Sequence, residues 1–191
     1  MKDRFAAPPP GGWETLSTRT VLQDQWLHVA AERVRTPAGT VLDPFWVLLQ
    51  PDWVTVIALT NDQRIVMIRE WRQAVRQFVL MVPGGIIEGD DPVATGAKEL
   101  AEETGYRAAR LRHAGSMFPD PARNANRCHV ILAEGCELAG AQQLEAGETI
   151  EPVLLPIAEV RAMLLRGEIE SGLHAASLLR GLSAAGLMEK P

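Results

Sequence analysis

The stretch VPGGIIEGDDPVATGAKELAEETGY, residues 82–106, combines the end of an apolar run, a glycine-rich loop and the best helix pattern in the chain. Asp91 is a suitable N-cap and Pro92 suits the first helical turn. Gly105 is a natural stop, because glycine tolerates the left-handed conformation that ends many helices. The positions that recur at helical spacing predict a face turned toward a core: Val93, Ala97, Leu100 and Thr104.

The opposite face of this predicted helix carries three carboxylates, Glu99, Glu102 and Glu103, at positions i, i+3 and i+4. Carboxylates so close together repel one another at neutral pH, so a cation among them would stabilise the cluster. Mg²⁺ is the cation that this chemistry favours, because it binds carboxylates, water and substrate phosphate oxygens. The alternative is a solvated acidic face on which Lys98 pairs with Glu102 at i,i+4 spacing.

The loop and the helix together resemble the Nudix box, the signature of the Nudix hydrolases. That pattern is glycine, five residues, glutamate, seven residues, Arg-Glu, an aliphatic residue, any residue, Glu-Glu, any residue, glycine and an aliphatic residue. Gly84 begins the match. The positions that agree after it are Glu99, Leu100, Glu102, Glu103 and Gly105. Asp90 stands where glutamate is usual, Lys98 where arginine is usual, and Tyr106 at the final aliphatic position.

The resemblance extends to both sides of the box and points to the ADP-ribose and nucleoside-diphosphate-sugar pyrophosphatase branch. Residues 69–72, Arg-Glu-Trp-Arg, look like the Gln-Tyr-Arg region of that branch, and residues 37–39 resemble part of its N-terminal β segment. Residues 121–129 and 147–151 resemble the later loop, strand and acidic segment. This resemblance implies a Mg²⁺- or Mn²⁺-dependent enzyme that cleaves ADP-ribose or a nucleoside-diphosphate sugar into a nucleoside monophosphate and a sugar phosphate.

The fold that the resemblance implies is α+β, a Nudix α/β/α sandwich with a mixed sheet, plus an N-terminal antiparallel β extension. We expect a disordered N-terminus over residues 1–12, a β extension over 13–50 through which the chain forms a homodimer, and a Nudix hydrolase domain over 51–191. The apolar runs at 54–60 and 65–69 agree with this fold, because they are typical of strands covered on both faces. Further along, the pattern predicts a strand over 128–133, an exposed loop over 135–147, a strand over 150–155 and helices over 156–165 and 174–182.

The catalytic residues are also assigned through the resemblance. It implies that Glu99, Glu102 and Glu103 are metal ligands, with Glu99 and Glu103 counted as catalytic. A general base must reach the attacking water. In this branch the base often comes from a late loop, which points to Glu148 or Glu145; each is otherwise an ordinary loop acid.

The substrate-binding candidates are Arg72, Trp46, Gly84 and Gly85. The guanidinium of Arg72 suits phosphate geometry, and its alternative is a surface ion pair. Gly84 and Gly85 let the backbone approach a ligand closely, since glycine has no side chain. Trp46 is a candidate for stacking on a base, although tryptophan in a strand is more often part of a core or an interface.

Charge and composition bear on whether the chain binds nucleic acid or a membrane, and on its compartment. The net charge of −5 at pH 7 disfavours polymeric nucleic acid, so we expect a small nucleotide-derived substrate. No segment approaches the ~20 apolar residues that span a bilayer, and residues 1–12 lack the apolar core of a signal peptide. Cys128 and Cys136 match no zinc pattern and read as free thiols. These features predict a cytoplasmic protein with no membrane partner.

Two alternatives to the sugar-nucleotide substrate stay open. The first is another Nudix substrate class, such as a nucleoside triphosphate, a dinucleoside polyphosphate or coenzyme A. The second is a non-catalytic module that senses a nucleotide. The N-terminal β segment favours the sugar-nucleotide branch, and the intact set of three glutamates favours an enzyme.

Overall fold

The computed structural model describes residues 6–188, which fall into two compact units. Of these residues, the first unit contains 6–51 together with 118–126, and the second contains 52–117 and 127–188. Of the N-terminus expected to be disordered, residues 1–5 lie outside the described part.

The first unit is a three-stranded antiparallel sheet. Its strands are β1 (Glu14–Gln23), β2 (His28–Arg35) and β3 (Val41–Leu48), with β2 in the centre. A tight turn joins β2 to β3, in which the Gly39 N–H donates to the Thr36 carbonyl at 2.9 Å. Gly39 has a φ of 86°, a left-handed conformation that glycine adopts at little cost. The predicted antiparallel extension is therefore confirmed.

The second unit is built on a seven-stranded sheet. Its strands are β4 (Trp53–Thr60), β5 (Arg64–Arg72), β6 (Gln77–Met81), β7 (Tyr106–Arg107), β8 (Arg110–Met117), β9 (Cys128–Leu138) and β10 (Ile150–Pro156). The order is β10-β5-β4-β9-β7, with β6 beside β5 and β8 beside β9. β4 runs parallel to β9 and the other pairs are antiparallel, so the expected mixed sheet is confirmed.

Helices cover both faces of this sheet. They are α1 (Pro92–Thr104), α2 (Ile157–Arg166) and α3 (Gly172–Ala184). On one face, Leu100 of α1 shares a buried core with Val56 of β4. On the other face, Val160 of α2 and Leu178 of α3 share a core with Ile57. Neighbouring β4 residues thus face opposite layers, as a strand buried on both sides requires, and the α/β/α sandwich is confirmed.

The ends of α1 are those that the sequence predicts. The Asp91 side chain accepts hydrogen bonds from the backbone N–H groups of Val93 at 2.8 Å and Ala94 at 3.3 Å. At the other end Gly105 has a φ of 75°, and its N–H donates to the Ala101 carbonyl. Because both ends are capped locally, the helix begins and stops at defined positions next to the glycine loop.

One boundary was predicted wrongly. The exposed loop expected from residue 135 begins later, because β9 continues to Leu138. Gly135 has a φ of 66°, and the pairing of β9 with β4 shifts by one residue there. A β-bulge at a glycine lets a strand continue past a residue that looks like a strand terminator in the sequence.

Within residues 6–188, no helix is long and apolar enough to cross a bilayer; α1 and α3 have 13 residues each. Cys128 and Cys136 are buried and unpaired, as expected for free thiols.

His174 at the start of α3 should make stability depend on pH. It is buried, its Nδ1 accepts the Val82 N–H at 3.3 Å, and burial followed by repulsion from Arg72 lowers its pKa from 6.5 to about 4. A base with a depressed folded pKa contributes stability above pH ~6.5 that is lost as pH falls toward ~4. From about pH 7 to about pH 5, we expect the native protein to lose about 2 kcal/mol more unfolding free energy than His174→Gln. Urea unfolding at both pH values measures this difference, and equal losses would contradict it.

Candidate active site

A glycine loop after β6 lies against β4. The backbone N–H of Val54 donates to the Gly85 carbonyl at 2.8 Å, and that of Val56 donates to the Pro83 carbonyl at 2.8 Å. A Cβ atom on Gly84 would collide with the Val54 carbonyl oxygen. The loop can approach the strand this closely because position 84 is glycine.

The same loop touches two carboxylates of α1. The Gly84 N–H donates to Glu103 Oε2 at 2.9 Å. A Cβ on Gly85 would overlap the Glu99 carboxyl group, so the bare Gly85 backbone lies directly against that carboxyl. The two glycines and two of the predicted metal ligands therefore lie together.

Glu103 corrects one expectation about the helix. We placed it on the face opposite Leu100, with a solvated acidic face as the alternative to a metal site, yet it is buried, with 5% of its surface exposed. Burial is the largest cause that raises its pKa, to about 8, and repulsion from Glu99, Glu148 and Glu70 adds to it. The hydrogen bond from Gly84 acts in the opposite direction. Residue 103 is one helical turn from Leu100, so it flanks the core-facing stripe rather than opposing it.

Glu99 and Glu102 are less buried than Glu103. The pKa of Glu99 is raised to about 7, first by burial and then by repulsion from Glu102, while Lys98 lowers it. Lys98 Nζ lies 2.9 Å from Glu88 Oε2 and 3.8 Å from Glu102 Oε2. Lys98 is therefore a surface lysine beside Glu102, which agrees with the i,i+4 alternative for that pair.

The late loop, between β9 and β10, brings Glu148 near Glu70, Glu99 and Glu103. The negative charge of Glu148 raises the pKa of Glu70, Glu99 and Glu103. Glu145 has a different position: its N–H donates to Glu148 Oε2 at 2.8 Å, and its carbonyl accepts from the Glu148 N–H at 3.1 Å. Of the two glutamates proposed as general base, Glu148 lies near the carboxylates, and Glu145 forms the turn that holds it.

Hydrogen bonds to α1 anchor this loop. Gln142 Nε2 donates to the carbonyls of Glu103 at 2.6 Å and Ile150 at 3.1 Å. The Gln143 N–H donates to the Glu102 carbonyl at 2.8 Å. The bonds to Glu102 and Glu103 use carbonyls at the end of α1 that have no partner inside the helix, and they connect the position of the loop to α1.

Glu70 is a site residue that the sequence analysis missed. It lies on β5 with its side chain 13% exposed, and burial followed by repulsion from Glu148 raises its pKa against the effect of Arg72. A signal was present: in a strand, position 70 is on the same face as the buried Val66 and Ile68, so an acidic residue there points inward.

Arg72 lies at the edge of the same cluster. One guanidinium nitrogen is 3.2 Å from Glu70 Oε2, and its Nε donates to Met81 Sδ at 3.4 Å. The ion pair given as the alternative for Arg72 is present, and it places a positively charged guanidinium next to the Glu70 carboxylate. Trp46 belongs to the first unit, on β3, where it pairs with Ala31 and is 38% exposed.

The donor chemistry of this cluster fits a hard divalent cation. Glu70, Glu99, Glu103 and Glu148 supply only oxygen ligands, and each of the first three has a raised pKa that a nearby cation would lower. In the described residues, no three carboxylate, imidazole or thiol groups converge at ligand distances. A cation shared by three of these carboxylates would require a change in their side-chain positions.

Replacing Gly85 with alanine should weaken metal activation. The new Cβ occupies the position of the Glu99 carboxyl group, so that side chain must move. We expect the Mg²⁺ concentration for half-maximal activity to rise roughly tenfold or more. Gly140→Ala is the matched control, because a Cβ there meets nothing within 4 Å. If Gly85→Ala and Gly140→Ala need the same Mg²⁺ concentration for half-maximal activity, a glycine at position 85 is not required for metal activation.

The chain matches two family models. Residues 50–174 match the family model described as NUDIX domain, and residues 13–48 match the model described as nucleoside diphosphate sugar hydrolase N-terminal domain. A protein of Streptomyces rubellomurinus named CMP-5'-(N-acetyl-N-hydroxy-3-aminopropyl)phosphonate hydrolase is 28% identical over 180 residues, covering 94% of this chain and 86% of its own. An ADP-ribose pyrophosphatase of Bacillus subtilis is 27% identical over 140 residues, covering 72% of this chain and 75% of its own.

A solved structure shares the fold. The crystal structure of an ADP compounds hydrolase superposes with a TM-score of 0.75 at 17% identity, covering 92% of this chain and 96% of that one.

Proposed function

The chain belongs to the Nudix family as a pyrophosphohydrolase, and we propose that it uses Mg²⁺ or Mn²⁺ to cleave ADP-ribose or a nucleoside-diphosphate sugar. The products are a nucleoside monophosphate and a sugar phosphate. The observation that carries this proposal is the contact of Glu99 and Glu103 with the Gly84-Gly85 backbone, with Glu70 and Glu148 near enough to raise the pKa of Glu103. Carboxylates from a strand, a helix and a late loop repel one another there, and a divalent cation with a diphosphate offsets that repulsion.

We assign the metal-ligand role to Glu99 and Glu103, with Glu102 as a third ligand from the more exposed side of α1. When bound, the cation polarises phosphate oxygens and neutralises charge that develops on the leaving group. Gly84 and Gly85 carry no side chains, which lets the loop backbone lie directly against Val54 and the Glu99 carboxyl group.

Glu148 is our candidate for the general base. The hydrolysis joins a water oxygen to phosphorus and breaks the bond from that phosphorus to the bridging oxygen, which leaves with the electron pair. The Glu148 carboxylate accepts the proton that the water releases. Arg72 binds a phosphoryl oxygen of the substrate, since its guanidinium is already held next to the cluster by Glu70.

The comparisons support the choice of substrate class. The family model matched by residues 13–48 is the N-terminal domain of nucleoside diphosphate sugar hydrolases. One relative, matched over 75% of its own length, is named ADP-ribose pyrophosphatase. The CMP-phosphonate hydrolase acts, by its name, on a compound that contains CMP and a phosphonate. These support a compound in which a nucleoside monophosphate is linked to a second phosphorus-containing group.

We also propose a homodimer that forms through residues 13–50 and works in the cytoplasm. Trp13 and Phe45 form an edge-to-face pair in this segment at 5.8 Å, and Val21, Leu22 and Trp26 are exposed along it. Large exposed apolar side chains favour an interface. Two free thiols are in keeping with a reducing compartment. Light scattering at micromolar concentration tests the dimer, and a monomeric mass would exclude it.

The test of the function is hydrolysis across a panel of ADP-ribose, GDP-mannose, UDP-glucose, a CMP-linked phosphonate, 8-oxo-dGTP and a diadenosine polyphosphate. Each compound is incubated with Mg²⁺, with Mn²⁺ and with EDTA. Metal-dependent release of a nucleoside monophosphate from a diphosphate sugar is expected. Preferred cleavage of the triphosphate or the polyphosphate would move the protein to another substrate class. Binding without turnover of any compound would favour a nucleotide sensor.

A further inference from the structure

A second cluster of potential ligands lies where β8 and β9 pair. His113 Nε2 and Ser116 Oγ are 3.1 Å apart, and Ser116 Oγ is also 3.1 Å from His129 Nδ1. The two imidazole nitrogens, His113 Nε2 and His129 Nδ1, are 3.3 Å apart. Three donor atoms thus form a nearly equilateral triangle that has no part in the proposed hydrolysis.

A β-bulge creates this triangle. The pairing of β8 with β9 shifts between His113 and Gly115, so that His113 faces Ile131 while Ser116 faces His129. In a regular strand, residues 113 and 116 would point to opposite faces. The extra residue at the bulge puts them on one face, and the φ of 124° at Gly115 is a backbone conformation suited to glycine.

Asp52 orients one of the imidazoles. His129 Nε2 lies 3.3 Å from Asp52 Oδ2, while Asp52 Oδ1 accepts the Arg127 N–H at 2.7 Å. The carboxylate accepts a hydrogen bond from the Nε2–H of His129, which leaves the Nδ1 lone pair of that ring facing the triangle. A carboxylate behind a histidine is the usual support for a metal-binding imidazole, since it sets the tautomer and the ring orientation.

We propose that His113 Nε2 and His129 Nδ1 bind a transition-metal cation of the zinc class, with Ser116 Oγ or water completing the coordination. Two nitrogens at about 2.0–2.1 Å from a tetrahedral Zn²⁺ are about 3.3–3.4 Å apart, which matches the observed separation. Imidazole nitrogen favours zinc, nickel and copper over magnesium, so this site differs in preference from the carboxylate cluster.

Solvent can reach this triangle of donor atoms. His113 is exposed, and the side chains of His129 and Asp52 are 18% and 43% exposed. A metal ion can therefore enter without a change of fold.

The proposal is tested by cobalt binding, because tetrahedral Co²⁺ gives intense visible bands that octahedral Co²⁺ lacks. Titration is done on the full chain in excess Mg²⁺, which occupies the carboxylate cluster. We expect one equivalent of Co²⁺ with tetrahedral bands, displaced by Zn²⁺. His113→Ala and His129→Gln should abolish the bands, and Asp52→Asn should lower the affinity by about 10–100-fold. His28→Ala, in the first unit, is the control and should bind as the native protein does.

Folding is checked separately, since His129 is partly buried. His113 is exposed, so His113→Ala should retain the unfolding midpoint of the metal-free protein, and that midpoint should rise with Zn²⁺ only in the native chain and the control. Native-like cobalt spectra in both histidine variants, or no binding by the native protein, would overturn the proposal. The triangle would then be a hydrogen-bonded network of His113, Ser116 and His129 alone.

Discussion

Glu103→Gln is expected to lower kcat for the preferred substrate by about 10²–10³-fold, while substrate binding persists. Glutamine keeps an oxygen that can accept the Gly84 N–H but removes the negative charge that a cation requires. The measurement is steady-state hydrolysis at saturating Mg²⁺. Glu168→Gln is the matched control, because Glu168 is a surface glutamate paired with Arg166. If both variants retain native activity, Glu103 is not part of the metal site.

Glu103→Gln should also make the stability of the metal-free protein less sensitive to rising pH. Glu103 has a pKa of about 8 in the folded chain against 4.5 for the free residue. An acid with a raised folded pKa contributes stability that is present below about pH 4.5 and lost as pH rises through about 8. In EDTA, from about pH 5 to about pH 8, the native protein should lose about 3 kcal/mol more unfolding free energy than Glu103→Gln. Denaturant unfolding tests this, and identical pH dependence would contradict it.

Glu148→Gln is expected to reduce kcat by about 10²–10⁴-fold with little change in KM, because it removes the proton acceptor and leaves the metal ligands in place. Glu148 is close enough to Glu99 and Glu103 to raise the pKa of both. Single-turnover hydrolysis separates this loss of chemistry from a loss of binding or product release.

Glu145 provides the comparison for that experiment. Its contacts with Glu148 that are seen here are made by its backbone N–H and carbonyl, which glutamine retains. Glu145→Gln should therefore keep kcat within a few-fold of the native value. A large loss in Glu145→Gln with native activity in Glu148→Gln would reverse the assignment of the base within the late loop.

The site was predictable from the sequence where short-range rules apply. Asp91, Pro92 and Gly105 define the ends of α1 through hydrogen bonds within a few residues. Gly84 and Gly85 mark the two loop positions that lack a side chain. The spacing from these glycines to Glu99 and Glu103 carries the resemblance to the Nudix box. The apolar runs of β4 and β5 indicated strands buried on both faces.

Other parts of the site depend on contacts between distant residues. Helical spacing places Glu103 beside Leu100, but only the sheet packed against α1 makes it a buried carboxylate. Glu148 is chosen over Glu145 because its charge acts on Glu99 and Glu103, and Gln142 ties the loop that carries it to the end of α1. Glu70 joins the cluster because β5 lies beside β4 and β10.

The amino-acid sequence by itself determined the helix, its caps, the glycine loop and the family of the chain, because each depends on neighbours in sequence. Only the tertiary structure decided which carboxylates meet, how far each is buried, and that a bulge at Gly115 brings His113 to His129. The physical reason is that burial and charge repulsion act through space. Both are set by strand order and loop anchoring, which no local pattern specifies.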